Sequence, residues 1–231
     1  MNIRVLVLLS VLSAAMAPDA LAQGIVVDGG QFAVKIDGRA AGTEDFVIRR
    51  AGLGREDAVF ANGVVSLTVN GSAQEVRPLL RTTPPDGTAE SYQVDVTGPD
   101  AMDLRLTRAG RRYVATISSG VGDEDREFQA RADTRVVELS VAHHYYFLRD
   151  LRAGRQAHLL EPRSRRQVTL TAGESIEEDL RLGPNIVPAR RVEFTSNEED
   201  HRTVWFDRQG RVLRVEVPSR AYVAERTDLV G

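Results

Sequence analysis

The feature that most constrains this chain is a two-residue alternation of apolar and polar side chains, repeated in short runs from Gln31 onward. In FAVKID, Phe32, Val34 and Ile36 fall on one side of an extended backbone, and Lys35 and Asp37 fall on the other. The period returns in YQVDV (Tyr92, Val94, Val96), DLRLT (Leu104, Leu106), QVTLT (Val168, Leu170), RVEFT (Val192, Phe194) and VLRVEV (Leu213, Val215, Val217). Successive side chains of a strand point to opposite faces, so such runs predict strands with one buried face. Between them lie Asp37-Gly38, Asn70-Gly71, Asp86-Gly87, Gly98-Pro99-Asp100, Ala109-Gly110, Ala172-Gly173 and Gln209-Gly210. Glycine supplies positive φ, which aspartate and asparagine also tolerate, so these are turns. A spacing of about ten residues suits hairpins and leaves no room for parallel crossovers, which predicts an antiparallel meander.

One segment departs from this period. In TRVVELSVAHHYYFLRDLRAG, Val137, Val141, His144, Leu148 and Leu151 recur at intervals of four and three, the spacing of one helix face. Thr134 or Asp133 is placed to cap its start and Gly154 to end it, so the spacing predicts a helix near 135–152. His143 and Phe147 then fall on another side, away from the sheet. The fold expected is mainly β: a strongly curved antiparallel meander, a half-barrel or open barrel, covered by one helix. A helix of about 15 residues is about 22 Å long and covers only part of such a sheet. The rest of the apolar face must close on itself or enclose something, because burial is worth roughly 25 cal/mol per Å². Val141, His144, Tyr145, Leu148 and Trp205 are the candidate ligand-binding residues.

The chain begins with a short positive start at Met1–Arg4, an apolar run from Val5 to Ala17, and small residues at Ala20 and Ala22. This reads as a secretory signal peptide cleaved after Ala22, with a single β-rich domain over 23–231. The run is shorter than the roughly 20 residues that cross a bilayer, so no transmembrane segment is expected in the mature chain. No cysteine is present, which excludes a lipobox anchor and any disulfide. The expected location is periplasmic or secreted. Net charge is −3, and removal of Arg4 and Asp19 leaves it unchanged. A mixed surface of this kind carries no electrostatic footprint for nucleic acid.

Reactive readings are weak beside their ordinary alternatives. His143 and His144 are adjacent and so diverge by about 100° on a helix, which argues against a shared metal ion. His158 and His201 are distant in sequence. Glu174, Glu177, Glu178, Asp179, Glu198, Glu199, Asp200 and Asp207 offer many carboxylates, but such charge runs are usually solvated strand ends. No Gly-x-Ser-x-Gly elbow occurs. Asn70-Gly71-Ser72 reads as a hairpin turn more readily than as a glycosylation acceptor. Arg111-Arg112, Arg163, Arg165-Arg166 and Arg190-Arg191 suit headgroup phosphates in principle, but alternation with acids favours cross-strand pairs worth about 0–1 kcal/mol each. No catalytic residue, metal or cofactor is expected. An enzyme would need a polar cluster in the interior, such as Asp207 with His201 and Tyr145.

The segments FAVKIDGRAAGTEDFVIR, VELSVAHHYYFLRDL, TLTAGES and VEFTSNEEDHRTVWFDRQGRVLRVEVPS resemble an uncharacterised family of exported bacterial proteins. The matching positions are Gly38 and Gly42 in the first turn, then Trp205, Asp207, Gly210, Arg214 and Val215 near the end. Ala40-Ala41 departs from that pattern, which usually has a bulkier apolar residue there. The resemblance implies a half-barrel similar to bacterial lipoprotein carriers, which hold acyl chains in an apolar concavity. It carries over no catalytic residue. The function expected is therefore an exported, non-enzymatic protein that binds a lipid or other hydrophobic ligand. The alternative is a structural or interaction protein of the cell envelope, with a dry core and a protein partner.

Overall fold

The computed structural model describes residues 24–52, 57–85, 87–196 and 200–229. The expected signal peptide, Asp86, Glu198 and Glu199 lie outside them. The strands are β1 (Ile25–Ile36), β2 (Arg39–Ala51), β3 (Ala58–Val69), β4 (Ser72–Thr83), β5 (Thr88–Thr97), β6 (Met102–Ala109), β7 (Arg112–Ser119) and β8 (Gly122–Gln129) in the first half. The second half holds β9 (Thr134–Val136), β10 (Gln156–Glu161), β11 (Arg166–Leu182), β12 (Asn185–Ser196), β13 (His201–Phe206), β14 (Val212–Val217) and β15 (Tyr222–Arg226). All join one sheet in the order β8-β7-β6-β5-β4-β3-β2-β1-β15-β14-β13-β12-β11-β10-β9. Every neighbouring pair is antiparallel except β9 and β10.

The turns explain much of this order. Asp37 and Gly38 both have positive φ, as do Asn70 and Gly71. That geometry twists a two-residue turn in the same sense as the strands it joins. Gly42 sits at a bulge in β2, where Val34 pairs with it but Lys35 pairs with Ala40. A Cβ at Gly42 would lie 1.8 Å from the Ser66 carbonyl oxygen, so the approach of β3 requires glycine.

The inward face is the alternating set read from the sequence. Phe32, Val34, Tyr92, Val94, Val96, Leu104, Leu106, Val168, Leu170, Val192, Phe194, Val215 and Val217 are all buried. They join one continuous core, in which full burial of each large side chain is worth roughly 1.5–3 kcal/mol. The end strand β8 touches the start of β11 through side chains. Gln167 Nε2 donates to the Gln129 carbonyl at 2.8 Å, and Gln129 N donates to Gln167 Oε1 at 3.2 Å. Thus one side-chain amide bridges β8 to β11 as a backbone amide does within a ladder.

The helix near 135–152 is replaced. Thr134–Val136 form β9, and only Ala142–Leu148 are helical, in a 3₁₀ segment. Thr134 does not cap it; its Oγ1 accepts from Arg131 N instead. The reason lies in the parallel pairing of β9 with β10, which demands a crossover of a dozen or more residues. Residues 137–155 are that crossover. Residues 141–148 are buried on every side, so no outward face exists for His143 and Phe147. A segment enclosed all round has no amphipathic phase to read, and its β-branched and aromatic residues disfavour an α-helix. Among the described residues, no helix is long and apolar enough to cross a membrane.

Candidate functional site

The crossover is held by charged groups inside the apolar core. Glu44 on β2 is fully buried beside Phe46 and Ile48. Ala142 N donates to its Oε2 at 2.7 Å, His143 N donates to its Oε1 at 2.8 Å, and His143 Nδ1 lies 2.6 Å from the same Oε1. The first amides of a helical turn lack intrahelical acceptors, and this carboxylate supplies them from another strand. The His143 ring stacks on Phe46 at 5.4 Å and meets the His144 ring edge-on at 4.7 Å.

A second cluster lies where the crossover leaves β9. The fully buried Glu138 accepts from Arg163 N at 2.9 Å and Arg163 Nε at 2.8 Å, and Arg163 Nη2 donates to Ser140 Oγ at 2.9 Å. Glu138 N donates to His144 Nδ1 at 3.3 Å. Burial, then the neighbouring His143 and Arg163, holds the His144 imidazole well below its ordinary range. Burial likewise pushes the Tyr92 hydroxyl well up.

A third cluster ties the middle of the segment to β10 and β13. Arg202 is fully buried, hydrogen-bonds Glu161, donates to Asp200 Oδ2 at 2.6 Å, and reaches Tyr145 Oη at 3.3 Å. Near the start of β1, Arg226 pairs with Asp28 at 2.8 Å and lies over the Phe46 ring at 5.3 Å. Each of these carboxylates accepts from at least one N–H donor. Chemically the arrangement fastens a chain segment inside the sheet.

Of the sequence-derived site residues, Val141, His144, Tyr145 and Leu148 are gathered in this enclosed segment. Trp205 is not with them. It lies in a separate small cluster with Leu180, Leu182, Ala189 and Leu213, and its Nε1 donates to Glu178 Oε1 at 2.6 Å. Alternation sets Trp205 opposite Val204 and Phe206, which join the main core, and a bulge at Leu213 on the facing strand turns Val212 into that core and Leu213 toward Trp205. Asp207, His201 and Tyr145 are also apart: Asp207 binds Arg211 within its turn at 2.6 Å, and His201 is exposed. His158 contacts Arg131 and Thr169. Of these arginines, Arg112 and Arg191 form cross-strand pairs with Glu127 and Glu178, and Arg165 pairs with Glu124 of β8.

Sequence reasoning missed Glu44, Glu161, Arg202 and Arg226. A signal was present, since each shares the parity of its strand's inward residues: Glu44 with Phe46 and Ile48, Glu161 with Leu159, Arg202 with Val204 and Phe206, Arg226 with Tyr222 and Ala224. A charge in phase with a buried face marks an internal ion pair, because an unpaired one is prohibitively costly.

The crossover emerges at Arg149 and Asp150, beside a pocket of about 250 Å³ lined by Val27, Arg50, Val59, Arg135, Tyr146, Phe147 and Arg149 among others. Arg149 stacks on the Tyr146 ring at 3.7 Å and donates to the Tyr146 carbonyl at 3.0 Å.

No protein-family model matches the chain. No curated protein matches it in sequence. Among solved structures, it is similar to a β-barrel-like protein of the domain of unknown function DUF1849 from Brucella abortus. That likeness has a TM-score of 0.49 and 9% identity, over 88% of this chain and 97% of the other. It is also similar to a DUF1089 family protein from Pseudomonas aeruginosa, with a TM-score of 0.42 and 15% identity, over 77% of this chain and 90% of the other.

Proposed function

We propose that the protein is an exported, non-enzymatic interaction protein of the cell envelope, whose curved sheet encloses its own chain in place of a lipid. The observation that carries this reading is the burial of Val141–Leu148 on all sides, fastened by Glu44, Glu138 and Arg202. An acyl chain in the interior would have to displace that segment and leave several buried charges unpaired, at about 3–5 kcal/mol for each broken pair. The alternative of a protein partner draws support from the start of β1. There Ile25 and Val26 are 77% and 55% exposed, while β15 pairs with β1 only from Phe32 to Ile36. A strand edge with apolar side chains is a surface on which another chain can pair.

The test is mild purification from the envelope fraction of the native host, followed by native mass spectrometry. The expected result is a chain beginning at Gln23, with no long-chain lipid bound, and a cross-linked protein partner lost in Val26→Asp. A stoichiometric long-chain lipid, released only on unfolding, would overturn this reading in favour of the lipid carrier. A chain retaining residues 1–22 would overturn the export step.

A further inference from the structure

We infer that the pocket where the crossover emerges binds a short amphipathic anion, an apolar body ending in a carboxylate or phosphate. Two features of its lining carry the inference. Val27, Val59 and Phe147 give an apolar wall, and the arginines Arg50, Arg135 and Arg149 line the same space. The carboxylate that also lines it, Asp150, is 73% exposed and lies 3.5 Å from Arg149. Arg50 is held by Asp57, and the Arg149 guanidinium lies over the Tyr146 ring. Both side chains are therefore positioned before any ligand arrives, which lowers the ordering cost of binding. Guanidinium groups suit carboxylate and phosphate oxygens by their planar fork of donors.

Size decides the class further. A volume of about 250 Å³ falls just below the roughly 300–1,000 Å³ of small-molecule sites. It admits a short-chain amphiphile and excludes a full phospholipid. The pocket adjoins the β1 edge through Val27 and the enclosed segment through Tyr146 and Phe147, but octanoate binding is read on the purified chain with no partner present, so either proposal can fail without the other.

The experiment is isothermal titration of the purified chain with octanoate, with octanol and acetate as the tail-only and charge-only probes. Saturable one-to-one binding of octanoate is expected, at least tenfold tighter than either control. Arg149→Gln should weaken it at least tenfold, and Val27→Glu, which puts a negative charge on a partly exposed wall position, should abolish it. Arg77→Gln, which alters an exposed residue outside the pocket lining, should leave it unchanged. Unfolding midpoints of the variants separate lost binding from lost folding. Octanol binding as tightly as octanoate, no saturation into the millimolar range, or unchanged affinity in both pocket variants would overturn the inference. Capture on phosphatidylglycerol vesicles without octanoate binding would overturn it too, because the charge would then serve a membrane surface.

Discussion

Glu44 grips His143 twice through one oxygen: Oε1 accepts the His143 backbone N–H at 2.8 Å and lies 2.6 Å from Nδ1 of the same residue. Its other oxygen takes Ala142 N, so one carboxylate from β2 fixes the start of the enclosed 3₁₀ segment. Hydrogen bonds to a charged group are worth about 1.5–3 kcal/mol, and leaving buried donors unsatisfied costs more than removing both partners. Glu44→Gln should lower stability by about 2–3 kcal/mol in urea unfolding, and His143→Ala by a similar amount. The double variant should lose less than the sum, a coupling of about 1 kcal/mol or more. A neutral His143→Ala would mean that the side chain merely fills space.

His144 should weaken the fold on the acid side. Its folded-state pKa is well below the ordinary value near 6.5, chiefly through burial, with His143 and Arg163 adding to the effect. Below about pH 6.5 the unfolded chain takes up a proton that the folded chain refuses. Stability is thus complete above that pH and falls as the pH drops towards the folded pKa, by up to about 1.4 kcal/mol per unit. The lowered carboxyls of Asp57, Glu124, Glu178 and Asp228 act in the same direction, but only below about pH 4.5, where their unfolded forms protonate. Between pH 6.5 and 4.5 the slope should belong to His144. Unfolding midpoints measured across that window should flatten in His144→Asn, whose side-chain oxygen can still accept from Glu138 N.

Arg202 is the pivot of a buried triad. Arg202→Met removes the cation between Glu161 and Asp200 and should cost about 3–5 kcal/mol, because two carboxylates then face each other in the core. Replacing the ion cluster as a unit, with Glu161→Leu and Asp200→Asn added, should recover most of that loss. Chemical denaturation of the single and triple variants checks both halves. If the triple variant is no more stable than the single, the triad is needed for more than charge balance.

The alternation of FAVKID, YQVDV and RVEFT was sufficient to place strands and their inward faces, because a half-buried strand imposes a strict period of two. The helix expected near 135–152 was not, because Val137, Val141, His144 and Leu148 match a helical stripe by spacing while the whole segment is enclosed. Enclosure follows from the parallel pairing of β9 with β10, a contact that no local pattern announces. Trp205 was misplaced although plain alternation sets it opposite Val204 and Phe206; the bulge acts on β14, where it turns Leu213 to the Trp205 side against the parity of Val215 and Val217. The ion pairs were legible in principle, since Glu44 and Arg202 break the apolar parity of their strands.

The last prediction concerns how the sheet closes. β8 stands at one end of the strand order, so its outer edge has no strand neighbour in the ladder; the Gln167 amide and the Arg165–Glu124 ion pair span that gap. These contacts are exposed and screened by solvent, so global stability should scarcely register their loss. Local opening should register it, because edge elements open at lower free energy than the core. Gln167→Ala should raise hydrogen exchange at Gln129 N about tenfold while leaving inner strands such as β5 unchanged. Gln167→Glu should raise it less, since it loses only the donor to the Gln129 carbonyl and keeps an acceptor for Gln129 N. Exchange that rose uniformly through β5 and β13 would instead show that the seam and the core open as one unit.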